Sequence, residues 1–323
     1  MLFIAIGLFL SGIVMFCGAL GNFSSARFKS YLKVSNNRFA GLGVGMGATT
    51  VIQSSTAIVV MVVGLVNVGV LSLFQASSII IGANVGATLT GLLISFSGFN
   101  IKYAFMLLVF VGALLKLFAR NNRTKMIADF FMGLGIMFVG LELMNIAFDS
   151  SPWLQNFFAS IFQNITFPFL LLLVGILLTC IIQSSMATLA LLICMMGCGI
   201  IGLNQAIYII MGANIGMCLA VYLASLKLNT KAKQAAVIHF LFNAIGALFF
   251  TVIFSLFSTV LILPFERLDP MWQLSIFNIA FNVATAVLLV GFIRPIIHLS
   301  TAVIKDKKES QNYALCDNSV SRF

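Results

Sequence analysis

Apolar residues run along this chain in long stretches, and polar residues are confined to short breaks between them, so the pattern predicts helices that cross a bilayer. Residues 2–20 form the first such stretch, and a polar segment with Arg27, Lys29, Lys33 and Arg38 follows. The next apolar tract, 40–66, is too short for two crossings, and Gln53-Ser54-Ser55 interrupts its middle. A re-entrant hairpin with its polar tip at membrane depth accommodates both facts, because non-helical backbone is tolerated there when it lines a cavity or is buried in protein. Residues 71–95 are predicted to cross as a helix broken at Gly82 to Gly86, and 101–118 to cross back.

The pattern then starts again. Residues 126–148 form an apolar run, and 149–164 read as an exposed loop without Lys or Arg. A second hairpin is predicted over 167–196 and a second broken helix over 203–226. Helices over 235–261 and 272–292 close the membrane region, and the basic, polar tail from 295 to 323 has the composition of a disordered segment. With an offset of 130, residues 49–95 lie on 179–225 without a gap, and roughly 40% of positions are identical. The matches fall on polar and small residues: Gln53-Ser54-Ser55 with Gln183-Ser184-Ser185, and Gly82-Ala83-Asn84-Val85-Gly86 with Gly212-Ala213-Asn214-Ile215-Gly216. Gly135 to Gly140 likewise echoes Gly7 to Gly12 at an offset of 128. A duplication kept for packing alone would preserve size and hydrophobicity, not amides and hydroxyls.

Composition narrows the class without changing this picture. The chain has 323 residues, of which 61% are hydrophobic and 8% charged, with a mean hydropathy of +1.12. A soluble globule carries about 25% charged residues, so this is an all-α polytopic membrane protein. The formal charge of +10 does not point to nucleic acid, because the basic residues sit in short connections between apolar runs. If both Gln-Ser-Ser tracts are hairpins, about 16 of the 18 basic residues fall on one face, leaving Lys102 and Arg267 on the other. The same parity brings one hairpin in from the cytoplasm and the other from outside. The two repeats, 1–125 and 126–261, then have inverted topology, the plan of secondary transporters whose substrates and coupling ions bind near the midplane. The C-terminus falls on the cytoplasmic side of a plasma membrane, the bacterial inner membrane. Residues 2–20 lack a basic leader and a small-residue cleavage site and read as a first helix rather than a signal. The six cysteines suggest neither a disulfide framework nor a metal site. Nothing resembles a catalytic triad or a phosphate loop with Lys, so an enzyme is not expected, and no cofactor either.

Two Gln-Ser-Ser tips meeting from opposite sides would offer hydroxyls, amides and helix-terminal N–H groups to an oxyanion without a buried Lys or Arg. Freed carbonyls and the oxygens of Ser, Thr, Asn and Gln could hold a hard monovalent cation that offsets the anion's charge. Glu142 is the acidic residue set well inside an apolar run. It reads either as an ion ligand or as a protonated side chain bonded to a neighbouring helix. His239 reads either as a helix–helix hydrogen bond or as a proton relay.

These motifs resemble those of the type II sodium/phosphate cotransporters and their bacterial relatives, whose signature is a duplicated Gln-Ser-Ser-Ser followed by Gly-Ala-Asn-Ile-Gly-Thr-Thr. The resemblance covers nearly the whole membrane region. It implies sodium-coupled symport of inorganic phosphate, with phosphate at Gln53, Ser54, Ser55, Gln183, Ser184 and Ser185, and with Asn84 and Asn214 beside them. The candidate sodium ligands are Thr49, Thr50, Thr56, Thr88 and Thr179, together with Asn84, Asn214 and Glu142. The chain departs from the signature at Thr56 and Met186, at Ala87, and at Met217-Cys218. The family's late His-x-x-Phe-Asn element stands as His239 to Asn243 and, with Asn for His, as Asn278 to Asn282. The soluble regulatory domain of some bacterial relatives is not expected in this chain. A carrier of another small anion, a passive anion channel and a lipid-handling scaffold are the alternatives on the same fold.

Overall fold

A computed structural model of the chain describes residues 1–31, 37–95 and 102–305. Every described element is helical, and no strand occurs among the described residues. The helices are α1 (Leu2–Tyr31), α2 (Arg38–Ile52), α3 (Ser55–Asn67), α4 (Leu73–Ser95), α5 (Lys102–Phe118), α6 (Asn122–Asp149) and α7 (Pro152–Gln163). There follow α8 (Pro168–Ile182), α9 (Ser185–Gly197), α10 (Leu203–Gly216), α11 (Cys218–Ser225), α12 (Thr230–Glu266), α13 (Pro270–Leu289) and α14 (Ile293–Val303). Six stretches are long and apolar enough to cross a membrane: Leu2–Leu20, Leu73–Ser95, Asn122–Asp149, Leu203–Ser225, Thr230–Glu266 and Pro270–Val303. The chain is a multi-pass helical membrane protein.

The offset of 130 seen in the sequence is reproduced element by element. Helices α2 and α3 carry over onto α8 and α9 with the same lengths, and α4 onto α10 plus α11. Each copy packs its first helix hard against its third. A side chain at Gly45 would collide with the Ile79 carbonyl, and one at Gly82 with that of Leu42. The second copy repeats this with Gly175 against Ile209 and Gly212 against Leu172. Small residues let helix backbones approach closely where lipid supplies no hydrophobic drive. Contacts that rise together in number, Gly41 with Ser78 and Thr49 with Gly86, show that α2 and α4 run parallel. Helix α4 therefore starts near the level at which α2 started. The end of α3 is fixed at Asn67, whose Oδ1 and main-chain oxygen accept from the Asn229 backbone N–H and Nδ2 at 2.9 and 2.7 Å.

Helices α1 and α6 are also counterparts, and they pack on each other antiparallel. Gly12 lies against Met137 N and Gly133 O, while Gly140 lies against Phe9 N and Ala5 O. An offset of 128 exchanges these two contacts, so the interface has the self-complementary form of a two-fold.

Three expectations need correction. Helix α4 is continuous over Leu73–Ser95, so the predicted break at Gly82 to Gly86 does not occur; those glycines serve close packing on α2. In the second copy the interruption is a single residue, Met217, still with right-handed dihedrals (φ −62°, ψ −21°). The predicted loop 149–164 contains helix α7, opened by a Ser151 cap with Pro152 in its first turn. The stretch just beyond 294, expected to be disordered, is instead helical, because α14 runs to Val303 and buries Ile293, Ile296 and Ser300. Residues 306–323, like Ser35, lie outside the described residues.

Candidate functional site

Helix α2 stops at Ile52 because Gln53 turns left-handed (φ 59°, ψ 22°), with its N–H still donating to Thr49 O at 2.6 Å. Ser54 is extended (φ −144°, ψ 101°) and its Oγ accepts from Ala57 N, which caps α3. The second copy matches closely: Gln183 has φ 58° and ψ 23°, its N–H donates to Thr179 O at 2.7 Å, and Ser184 caps α9 through Ala187 N. Gln53 and Gln183 are the residues other than Gly with positive φ among the described residues. A left-handed residue with a β-carbon costs roughly 1–2 kcal/mol, and Gly would avoid the cost. Gln at both places argues for a use of the side chain there.

Each tip sets two helix ends of opposite sign side by side. The last carbonyls of α2 and α8 form a partially negative end, and the first N–H groups of α3 and α9 a partially positive one. Ser55 and Ser185, the first residues of those helices, are buried. The hydroxyls of Ser54 and Ser184 accept from the cap N–H and keep their own protons to donate. An anion suits the N-terminal side of such a tip, and a cation the C-terminal side.

The surroundings of the tips differ. Gln53 Nε2 donates to Thr50 O, and its Oε1 accepts from Thr90 Oγ1. Cys17 Sγ on α1 donates to Gln53 O at 3.4 Å. Gln183 is exposed, and its side chain has no hydrogen bond among the described residues. Thr49 is fully buried with its Oγ1 unpartnered, whereas Thr179 Oγ1 shares a 2.8 Å hydrogen bond with Thr188 Oγ1. Thr50 and Thr88 donate to Met46 O and Val85 O of their own helices, and Thr56 is half-buried.

Asn84 and Asn214 are buried, but they hydrogen-bond to α12 and α13 rather than to a Gln-Ser-Ser residue. Asn84 Nδ2 donates to Asn243 Oδ1 at 3.4 Å, and Asn84 Oδ1 lies 3.3 Å from His239 Nε2. Asn214 Nδ2 donates to Ile210 O and to Asn278 Oδ1, which also accepts from Asn282 Nδ2. The two late His/Asn-x-x-x-Asn elements thus each grip one of the Gly-Ala-Asn helices. His239 makes a helix–helix contact, the first of its two readings. Glu142 is half-buried on α6, next to Leu141, whose carbonyl accepts from Cys194 Sγ on α9. Cys194 lies nine residues beyond Ser185, about 14 Å along a helix, so α6 beside Glu142 meets α9 well away from the second tip. Thr90 and Thr188 escaped the sequence reading, although both mark places where the copies differ, against Ala220 and Ile58.

Comparison with known proteins agrees with the motifs. A family model described as Na+/Pi-cotransporter matches residues 8–146 and 152–263. The uncharacterized protein YqeW of Bacillus subtilis is 32% identical over 264 residues, covering 78% of this chain and 81% of that protein. The putative inorganic phosphate export protein YjbB of Escherichia coli K12 is 28% identical over 277 residues, covering 82% of this chain and 48% of that protein. The Salmonella typhimurium protein of the same name is 28% identical over 269 residues, again with 82% and 48% covered. The chain thus spans about half the length of the YjbB proteins. No solved structure matches it.

Proposed function

The chain belongs to the Na+/Pi-cotransporter family, and from that premise we propose that it carries inorganic phosphate across a bacterial inner membrane by symport with sodium. The observation that carries this reading is the duplicated left-handed glutamine, each one seated where a carbonyl-rich helix end meets an N–H-rich one. Phosphate would lie between the two tips, held by Ser54, Ser184 and the N–H groups that open α3 and α9. No Lys or Arg stands within either tip, so a dianion needs a compensating cation, and coupling follows from electrostatics.

In this reading alternating access would use two inverted, re-entrant halves, and several contacts support that arrangement. Helix α4 runs parallel to α2 and begins near its starting level, as expected if α2 and α3 form a hairpin. The α1–α6 contact maps onto itself when the copies are exchanged, which suits a two-fold axis lying in the membrane plane. The foot of the first hairpin meets Asn229 at the start of α12, and that of the second meets Met271 at the start of α13. Those two places are opposite ends of the α12–α13 pair, whose antiparallel packing sets Phe254 on Phe277 and Phe250 on Phe281. The basic loops and the C-terminus then face the cytoplasm.

The name of the YjbB proteins favours a second reading for direction, namely phosphate efflux through the same site. Uptake of labelled phosphate into proteoliposomes under sodium gradients of either sign tests both readings, with sulfate and arsenate as competitors. Accumulation that follows the sodium gradient supports symport. Phosphate flux that ignores the gradient would point to a passive or efflux pathway instead.

A further inference from the structure

The oxygen atoms around the first tip differ from their counterparts in the second in a way that singles out one ion site. Thr49 is fully buried, and its Oγ1 has no hydrogen-bond partner among the described residues. Such an orphan is uncommon in a packed interior, and an absent ion is one of its ordinary causes. One turn further along the chain, Gln53 Oε1 faces the hydroxyl of Thr90, itself 1% exposed. Thr49 and Gln53 are four residues apart, and so are Gly86, which packs on Thr49, and Thr90. Both pairs therefore lie along a single α2–α4 seam. The carbonyl end of α2 adds partial negative charge at the same place. Neutral hydroxyl and amide oxygens at a helix C-terminus form a donor set for a hard monovalent cation.

The second copy has lost this set. The place of Ile58 is taken by Thr188, whose Oγ1 lies 2.8 Å from that of Thr179 and satisfies it internally. Ala220 stands in place of Thr90, and the thiols of Cys180 and Cys218 replace the hydroxyls of Thr50 and Thr88. Thiol sulfur is a soft ligand and a poor one for an alkali ion. We infer that the chain binds one hard monovalent cation at the first tip, with Thr49, Gln53 and Thr90 supplying oxygens. In the second repeat the Thr179–Thr188 hydroxyl pair has replaced a cation. This inference rests on the cation-coupled reading above and gives it a location and a number.

Binding of radiolabelled sodium to the purified full chain, together with sodium-dependent thermal stabilisation, tests it without phosphate and without transport. One sodium per chain is expected. Thr49→Val and Thr90→Val should each weaken sodium about tenfold or more, Thr49→Val with unchanged melting in choline buffer because its hydroxyl has no partner among the described residues, and Thr90→Ser should retain binding. Ile58→Thr, which offers Thr49 the partner that Thr188 gives Thr179, should weaken sodium too, whereas Thr179→Val should not. If Thr49→Val and Thr90→Val fold and bind sodium like the unaltered protein, the assignment to the first tip is wrong while coupling stands. If the unaltered protein binds no sodium at all, the assignment and the coupled mechanism fall together.

Discussion

The two copies of the Gln-Ser-Ser tip share nearly the same backbone, with Ser54 and Ser184 differing by 3° in φ and 10° in ψ, yet they are wired differently. Gln53 and Gln183 differ by 1° in φ and in ψ, with values of 59° and 22° against 58° and 23°. In the first copy the amide is held by Thr50 and Thr90, and a neighbouring hydroxyl is left bare at Thr49. In the second the amide is exposed and the hydroxyls pair with each other. The comparison separates two requirements. Helix breakage and the paired dipoles need this backbone, so both copies keep it; ion binding needs particular oxygens, so one copy can lose them. If the two scaffolds are inverted as proposed, they would present a common anion site and an unequal cation site.

Four experiments would break or sharpen that comparison. The largest effect is all-or-none: a cysteine at Asn229 should react with an impermeant reagent only from the cytoplasm, and one at Gln155 only from outside. Labelling of both from one side would end the inverted arrangement. Next, Gly82→Leu and Gly212→Leu should each destabilise by about 3 kcal/mol or more, because each side chain would meet a carbonyl of the paired helix. Thermal denaturation in detergent should show similar losses for both, and a loss at only one would mean that the copies do not share their packing. A smaller effect is expected from Gln53→Gly and Gln183→Gly, which relieve left-handed strain. Each should raise stability by up to about 1 kcal/mol while impairing phosphate binding. The gain should be larger at Gln183, which gives up no side-chain hydrogen bond. A fall in stability at Gln183 would mean that its side chain is structural. The smallest change belongs to Glu142→Gln. Because its neighbour Leu141 meets α9 at Cys194, about 14 Å along that helix from Ser185, sodium dependence of uptake should move by less than about twofold. A large shift would return Glu142 to the ion path.

Much of this was legible in the chain itself, since the 130-residue offset places α8 and α9 on α2 and α3 residue for residue. The tips were legible because the same amides and hydroxyls recur in apolar sequence at the same offset, although Asn84 and Asn214, read the same way, join helices instead. The missed features have local physical causes. Gly82 and Gly86 read as helix breakers, but a glycine that admits a neighbouring backbone leaves its own helix intact. Helix α7 carries no Lys or Arg, and its segment read as an exposed loop; a Ser151 cap and Pro152 were the overlooked start signals. Helix α14 was hidden by Arg294-Pro295, although Pro is tolerated in a first turn. The Thr90–Gln53 and Thr179–Thr188 pairs are contacts between different helices. Their only trace in the sequence is the mismatch between copies, at Thr90 against Ala220 and at Ile58 against Thr188.

The central claim is that two tips, one from each repeat, hold one phosphate. Phosphate titration of Ser54→Ala, Ser184→Ala and the double variant tests it most directly. Each hydroxyl would donate a charge-assisted hydrogen bond worth about 1.5–3 kcal/mol. The account predicts one site per chain, an affinity loss of tenfold or more for either single variant, and a double variant whose loss departs from the sum because both groups touch one ligand. Two sites in the unaltered chain, with each single variant keeping full affinity at half the sites, would contradict it.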